Sequence, residues 1–168
     1  MFYLPGYDFR VGEESITTHV ETLKEFDEAV FVSKIISAIN KDHVRIYRTN
    51  EDPFGTKYKC EAYDTKIRED DLGCGSLFYN KKCTNIMEIS NDQAAVSVET
   101  ANGIYCLDVF FKKDENNKIL DVEKVMYQDG DDAFIVPFND WEKKNLKDVI
   151  QREMKIREEN HKEEDMER

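Results

Sequence analysis

Residues 94–113 read AAVSVETANGIYCLDVFFKK, two alternating segments on either side of Asn102-Gly103. Asn-Gly is the strongest short hairpin signal, because both residues tolerate the positive φ of a tight type I′ turn. Period-two alternation on both flanks means strands. The stretch therefore predicts an antiparallel pair, residues 93–100 with 104–113. A turn centred on Asn102-Gly103 sets Val98 opposite Leu107, Val96 opposite Val109, Ala94 opposite Phe111 and Thr100 opposite Tyr105. Opposed residues share a face, and a slip of one residue would exchange the faces. The reverse face then carries Glu99 with Cys106, Ser97 with Asp108 and Ala95 with Phe110.

Asp114–Asn117 (DENN) marks a second turn, and residues 118–127 extend the pair to a three-stranded meander. With all four residues in that loop, Lys113 pairs with Lys118. Leu120, Val122 and Met126 then join the apolar face, with Lys124 as an exception. Asp121 falls opposite Phe110, and Glu123 opposite Asp108. The second face would gather Glu99, Asp108, Asp121 and Glu123 around Phe110, Cys106 and Val125.

Around the meander the period changes. Residues 1–16 predict an irregular or edge segment. Thr18 and Glu21 form a capping-box pattern that opens a helix running to Asn40. Phe31, Val32, Ile35, Ile36 and Ile39 recur at three and four residues along it, one broad stripe for a core. HVRIYRT and TKYKCEAY read as strands about the DPFG turn, with SLFYN and NIMEIS as further short strands. FIVPF returns briefly to the core after the acidic turn QDGDDA. Asn139 and Glu142 repeat the capping pattern before a last helix, with Trp141, Leu146, Val149, Ile150 and Met154 facing inward.

This order predicts an α+β fold. A long N-terminal helix packs on a curved, mainly antiparallel sheet ending in the meander, and a charged helix follows. Residues 1–156 form one domain, and 157–168 a charged helical extension or tail. Over residues 26–127 the element order resembles the cone-shaped folds of the nuclear transport factor 2-like superfamily, but lacks that pattern's second and third helices. A small-molecule pocket or enzyme on such a cone-like sheet is one alternative, with Asp108 and Glu123, opposed across neighbouring strands, as an acid/base pair and Tyr105 or Phe110 lining the cavity.

Composition narrows the function. A formal charge of −12 over 168 residues repels nucleic acid and anionic lipid and attracts basic proteins. Aspartates of the DGDD turn, Asp129, Asp131 and Asp132, extend the acidic face, as does REDD at 68–71. Histidines occur at 19, 43 and 161, without metal-ligand spacing. The cysteines at 60, 74, 83 and 106 match no zinc or redox pattern and are expected as free thiols in the cytoplasm. Cys74, set between glycines, reads as a buried thiol in a tight turn; Gly73 and Gly75 do not make a phosphate loop.

The expectation is thus a non-catalytic protein antagonist. It would bind a basic protein, such as a nuclease or another nucleic-acid-binding effector, as immunity proteins and phage anti-defence or anti-CRISPR inhibitors do. Its partner surface would comprise Glu99, Asp108, Phe110, Asp121, Glu123, Asp129, Asp131 and Asp132. No catalytic set, cofactor or metal is expected, nor direct contact with nucleic acid or membrane; oligomeric state stays open. The alternatives are an accessory subunit docking through the last helix and the cone-type pocket.

Overall fold

A computed structural model describes residues 6–11, 14–19, 23–41, 44–51, 58–64 and 74–166. The fold is α+β. The strands of the described residues divide into two antiparallel sheets, where one curved sheet was expected. The first has the order β2-β1-β3-β4, from β1 (Gly6–Val11), β2 (Glu14–His19), β3 (Val44–Glu51) and β4 (Tyr58–Asp64). The second is a simple meander of β5 (Thr84–Ile89), β6 (Gln93–Thr100), β7 (Gly103–Lys113), β8 (Ile119–Asp129) and β9 (Asp132–Ile135). Among the described residues three helices accompany them: α1 (Leu23–Asn40), α2 (Gly75–Tyr79) and α3 (Asp140–Met166).

The N-terminal segment corrects two expectations. Residues 6–19 form a strand pair, and Thr18 sits in β2 opposite Tyr7 rather than capping a helix. Glu21, the DPFG turn and the REDD loop lie outside the described residues.

Helix α1 touches β1 and β3 of the first sheet and also α2 and β9. A helix covered from several directions buries more than a stripe. Phe31 and Ile35 are buried as the stripe predicts, but so are Asp27, Glu28, Ser33, Lys34 and Ser37, while Ile39 is exposed. SLFYN is likewise a helix, not a strand. The Leu77 amide donates to the Cys74 carbonyl and the Asn80 amide to the Leu77 carbonyl, each at 3.2 Å. That turn carries Leu77 and Phe78 into the core together. Phe78 meets Phe138 edge-on at 5.5 Å and Phe31 at 6.3 Å.

In the meander, β6 and β7 pair two residues away from the expected register. Thr100 lies opposite Gly103, Val98 opposite Tyr105, Val96 opposite Leu107 and Ala94 opposite Val109. The loop is Ala101-Asn102, and Gly103, with φ +133°, takes the conformation that glycine favours. A shift of two preserves parity, so each side chain keeps its predicted face. Ala94, Val96, Val98, Leu107, Val109 and Phe111 are all buried.

Strand β8 departs further. Asp114 and Lys118 close the turn, the Asp114 amide donating to the Lys118 carbonyl at 2.9 Å, with Asn117 at φ +65°. Two bulges follow, one beside Lys112 and Lys113 and one beside Phe110 and Phe111. Each bulge adds a residue and turns the following side chains over. The buried residues are therefore Ile119, Val122 and Val125, at intervals of three. Val125 belongs to the core and not to the acidic face, while Leu120 is exposed and Met126 lies opposite Asp108.

Helix α3 covers the apolar face of this sheet through Leu146, Ile150 and Met154. Its capping box forms as expected. The Glu142 amide donates to Asn139 Oδ1 at 2.8 Å, and the Asn139 amide to Glu142 Oε1 at 3.1 Å. Gln151 Oε1 accepts the Ile119 amide at 2.6 Å, and Arg157 reaches the Ile86 carbonyl at 2.6 Å, tying the helix to β8 and β5.

Candidate functional site

The outer face of the second sheet holds most of the expected partner-binding residues. Along one row Glu88, Ala95, Asp108, Met126 and Ile135 succeed each other from β5 to β9. Asp108 accepts a hydrogen bond from Gln128 Nε2 at 2.8 Å. Phe110 lies opposite Lys124, whose Nζ stands 4.8 Å from the ring centroid. Asp121 lies opposite Lys112, and Lys112 Nζ is 3.4 Å from Glu123 Oε1. The expected juxtapositions of Glu123 with Asp108 and of Asp121 with Phe110 do not occur, because the bulges re-register β8. That pairing sets Glu123 beside Lys112 rather than opposite Asp108.

The eight residues fall into two groups. Phe110, Asp121 and Glu123 sit toward the β7–β8 turn, interleaved with Lys112 and Lys124. Glu99, Asp108, Asp129, Asp131 and Asp132 sit toward the opposite end, because the β6–β7 and β8–β9 turns share that end of the sheet. Asp129 and Asp132 face each other across a turn made by Gly130, at φ +62°, and Asp131. Segments 99–108 and 126–135 carry these five carboxylates and no lysine or arginine. Two exposed apolar side chains accompany them, Ile104 (68% exposed) beside Glu99 and Ile135 (63%) on the Asp108 row. This end is a concentrated negative field with apolar anchors, whereas the other end is internally compensated.

A second cluster went unforeseen. Glu142 and Lys34 are both fully buried, with Lys34 Nζ 2.8 Å from Glu142 Oε1. Lys34 also donates to the Pro137 carbonyl at 3.0 Å. On the other carboxylate oxygen, Glu142 accepts the Cys74 thiol at 2.6 Å and the Cys74 amide at 3.3 Å. Burial pushes the Cys74 thiol well above its usual range, and the Glu142 charge adds to the effect. Burial also pushes the nearby Asp27 carboxyl up to about 7, again with help from Glu142. A protonated, enclosed thiol is a poor nucleophile, so this arrangement clamps α1, α2 and α3 together. The signal available in the sequence was Lys34 inside an apolar helical stripe, together with a capping glutamate.

The chain matches no known protein family, no curated protein and no solved structure. Among the described residues no helix is long and apolar enough to cross a membrane.

Proposed function

We propose that the protein is a non-catalytic antagonist that binds a basic, nucleic-acid-handling protein through the β6–β7 and β8–β9 end of its second sheet. One observation carries this reading: five carboxylates belong to two segments, 99–108 and 126–135, that contain no lysine or arginine, together with exposed Ile104 and Ile135. Long-range charge speeds encounter and sets orientation, while apolar side chains contribute most of the contact energy. Inhibitors of nucleases and of defence effectors work in this way, by filling a positively charged cleft. A cytoplasmic setting accompanies the reading, in keeping with the free thiols of Cys74, Cys83 and Cys106. Docking through α3 has less support, since Leu146, Ile150 and Met154 of its apolar stripe are buried in the protein's own core.

The test is capture from a cell lysate by immobilised wild-type protein and by an Asp129→Asn/Asp131→Asn/Asp132→Asn variant, with identification of what is bound. A basic nucleic-acid-handling protein should be held by the wild type at low salt and lost by the variant. Its association rate should fall at least about tenfold as ionic strength rises. Identical capture by both proteins, or a rate indifferent to salt, would overturn the proposal.

A further inference from the structure

We propose that the open edge of β9 is a strand-docking site for an extended segment of that partner, apolar at alternate positions and basic at one end. The inference rests on the basic partner proposed above and names the element that recognises it. β9 is an edge of the second sheet, and among the described residues nothing pairs with its outer side. The Val136 amide donates to the Val125 carbonyl at 2.9 Å, so Val136 faces β8. Antiparallel alternation then turns the amides and carbonyls of Ala133 and Ile135 outward. These are the groups that an added strand uses.

Beside this edge runs a groove of about 510 Å³, between the end of α1 (Ala38, Lys41) and Phe134, Ile135 and Pro137. Its lining is largely apolar, which suits a strand with alternating apolar side chains. Charge selects among such strands. At the start of β9, Asp132 stands with Asp129 and Asp131, whereas among the described residues the single charged one lining the groove is Lys41. A segment basic along its whole length would meet Lys41; one with lysine or arginine confined to the end at Asp132 meets opposite charge there and apolar surface beyond. β9 lacks the lysine or in-strand proline by which exposed edges are commonly protected.

The probe is a synthetic peptide, KRKTVTVT, whose basic N-terminus meets Asp132 when it adds parallel to β9, with EDETVTVT as its control, and the readout is backbone amide exchange followed by NMR. At saturating KRKTVTVT, exchange at Ala133 and Ile135 should slow by about tenfold or more, and EDETVTVT should leave it unchanged. Ala133→Pro removes an outward donor while leaving the β8 hydrogen bonds intact, and should abolish the effect. Absence of protection, protection elsewhere, equal protection by the acidic peptide, or unchanged binding by Ala133→Pro would each overturn the inference. Protection that grows with protein concentration before peptide is added would mean that a second copy occupies the edge, and would overturn it too. The two proposals fail separately. If the captured basic protein is lost by the triple Asp→Asn variant but retained by Ala133→Pro, the strand-docking idea falls alone. If KRKTVTVT docks on β9 and no basic protein is captured, only the antagonist reading falls.

Discussion

Glu142 caps its own helix and holds another: Oε1 accepts the Asn139 amide at 3.1 Å and lies 2.8 Å from Lys34 Nζ, in the middle of α1. Both members of the ion pair are fully buried. Removing one partner of such a pair strands the other charge, at a cost of about 3–5 kcal/mol.

Lys34→Met should therefore destabilise the fold by about 3–5 kcal/mol in urea denaturation. Adding Glu142→Gln should restore a substantial part, because glutamine still serves the capping box and no charge is left uncompensated. Additive losses in the double variant would show that Glu142 and Lys34 are not energetically coupled.

Asp27 makes stability depend on pH. Its folded-state pKa, about 7, lies above the ordinary carboxyl value of 3.8, so the folded state binds the proton more tightly. The associated stability is fully present below pH about 4 and is lost as pH rises toward and through 7. Asp27→Asn should flatten this part of the profile and raise stability at pH 8 relative to pH 4. The check is a series of denaturation curves between those values; an unchanged slope would assign the pH dependence to other groups.

The thiols should differ in reactivity. Cys106 is exposed, whereas Cys74 and Cys83 are buried. Alkylation of the native protein, mapped by mass spectrometry, should modify Cys106 well before Cys74, whose thiol is held protonated against Glu142. Denaturant should remove the difference. Equal rates without denaturant would mean that the clamp between α2 and α3 opens readily.

Two glycines should respond to alanine for different reasons. A Cβ on Gly75 would lie 2.7 Å from the Trp141 ring and 2.5 Å from Asn145 Nδ2, so these α3 side chains would have to give way. A loss of about 1–3 kcal/mol is expected, as for other overpacked contacts. At Gly103 nothing lies within 4 Å of an added Cβ, and the φ of +133° is the obstacle. Gly103→Ala should cost about 1–3 kcal/mol through backbone strain alone. Trp141 fluorescence should change with the first substitution and not with the second.

Sequence reading recovered what local alternation and local chemistry control. The buried faces of β6 and β7 and the Asn139–Glu142 box follow from residues near one another in the chain. The two-residue displacement of the hairpin could not be seen by parity, since both registers bury Val96, Val98, Leu107 and Val109. The bulges of β8 were hidden for a different reason. Leu120, Val122 and Met126 fit a regular strand as well as Ile119, Val122 and Val125 fit a bulged one, and the choice comes from packing against α3. That ambiguity moved Glu123 away from Asp108 and beside Lys112. The role of Lys34 has no local signature because its partners lie far along the chain, with Pro137 separated from it by 103 positions.

That separation bears on how the protein is made. While it is being synthesised, α1 emerges with Lys34 long before Pro137 and Glu142 exist to receive it. Contacts over such a distance form late, and until they do the apolar side chains of α1 stay exposed. Variants that weaken the Lys34–Glu142 union should therefore lower the yield of folded protein in cells more than their equilibrium stability would suggest.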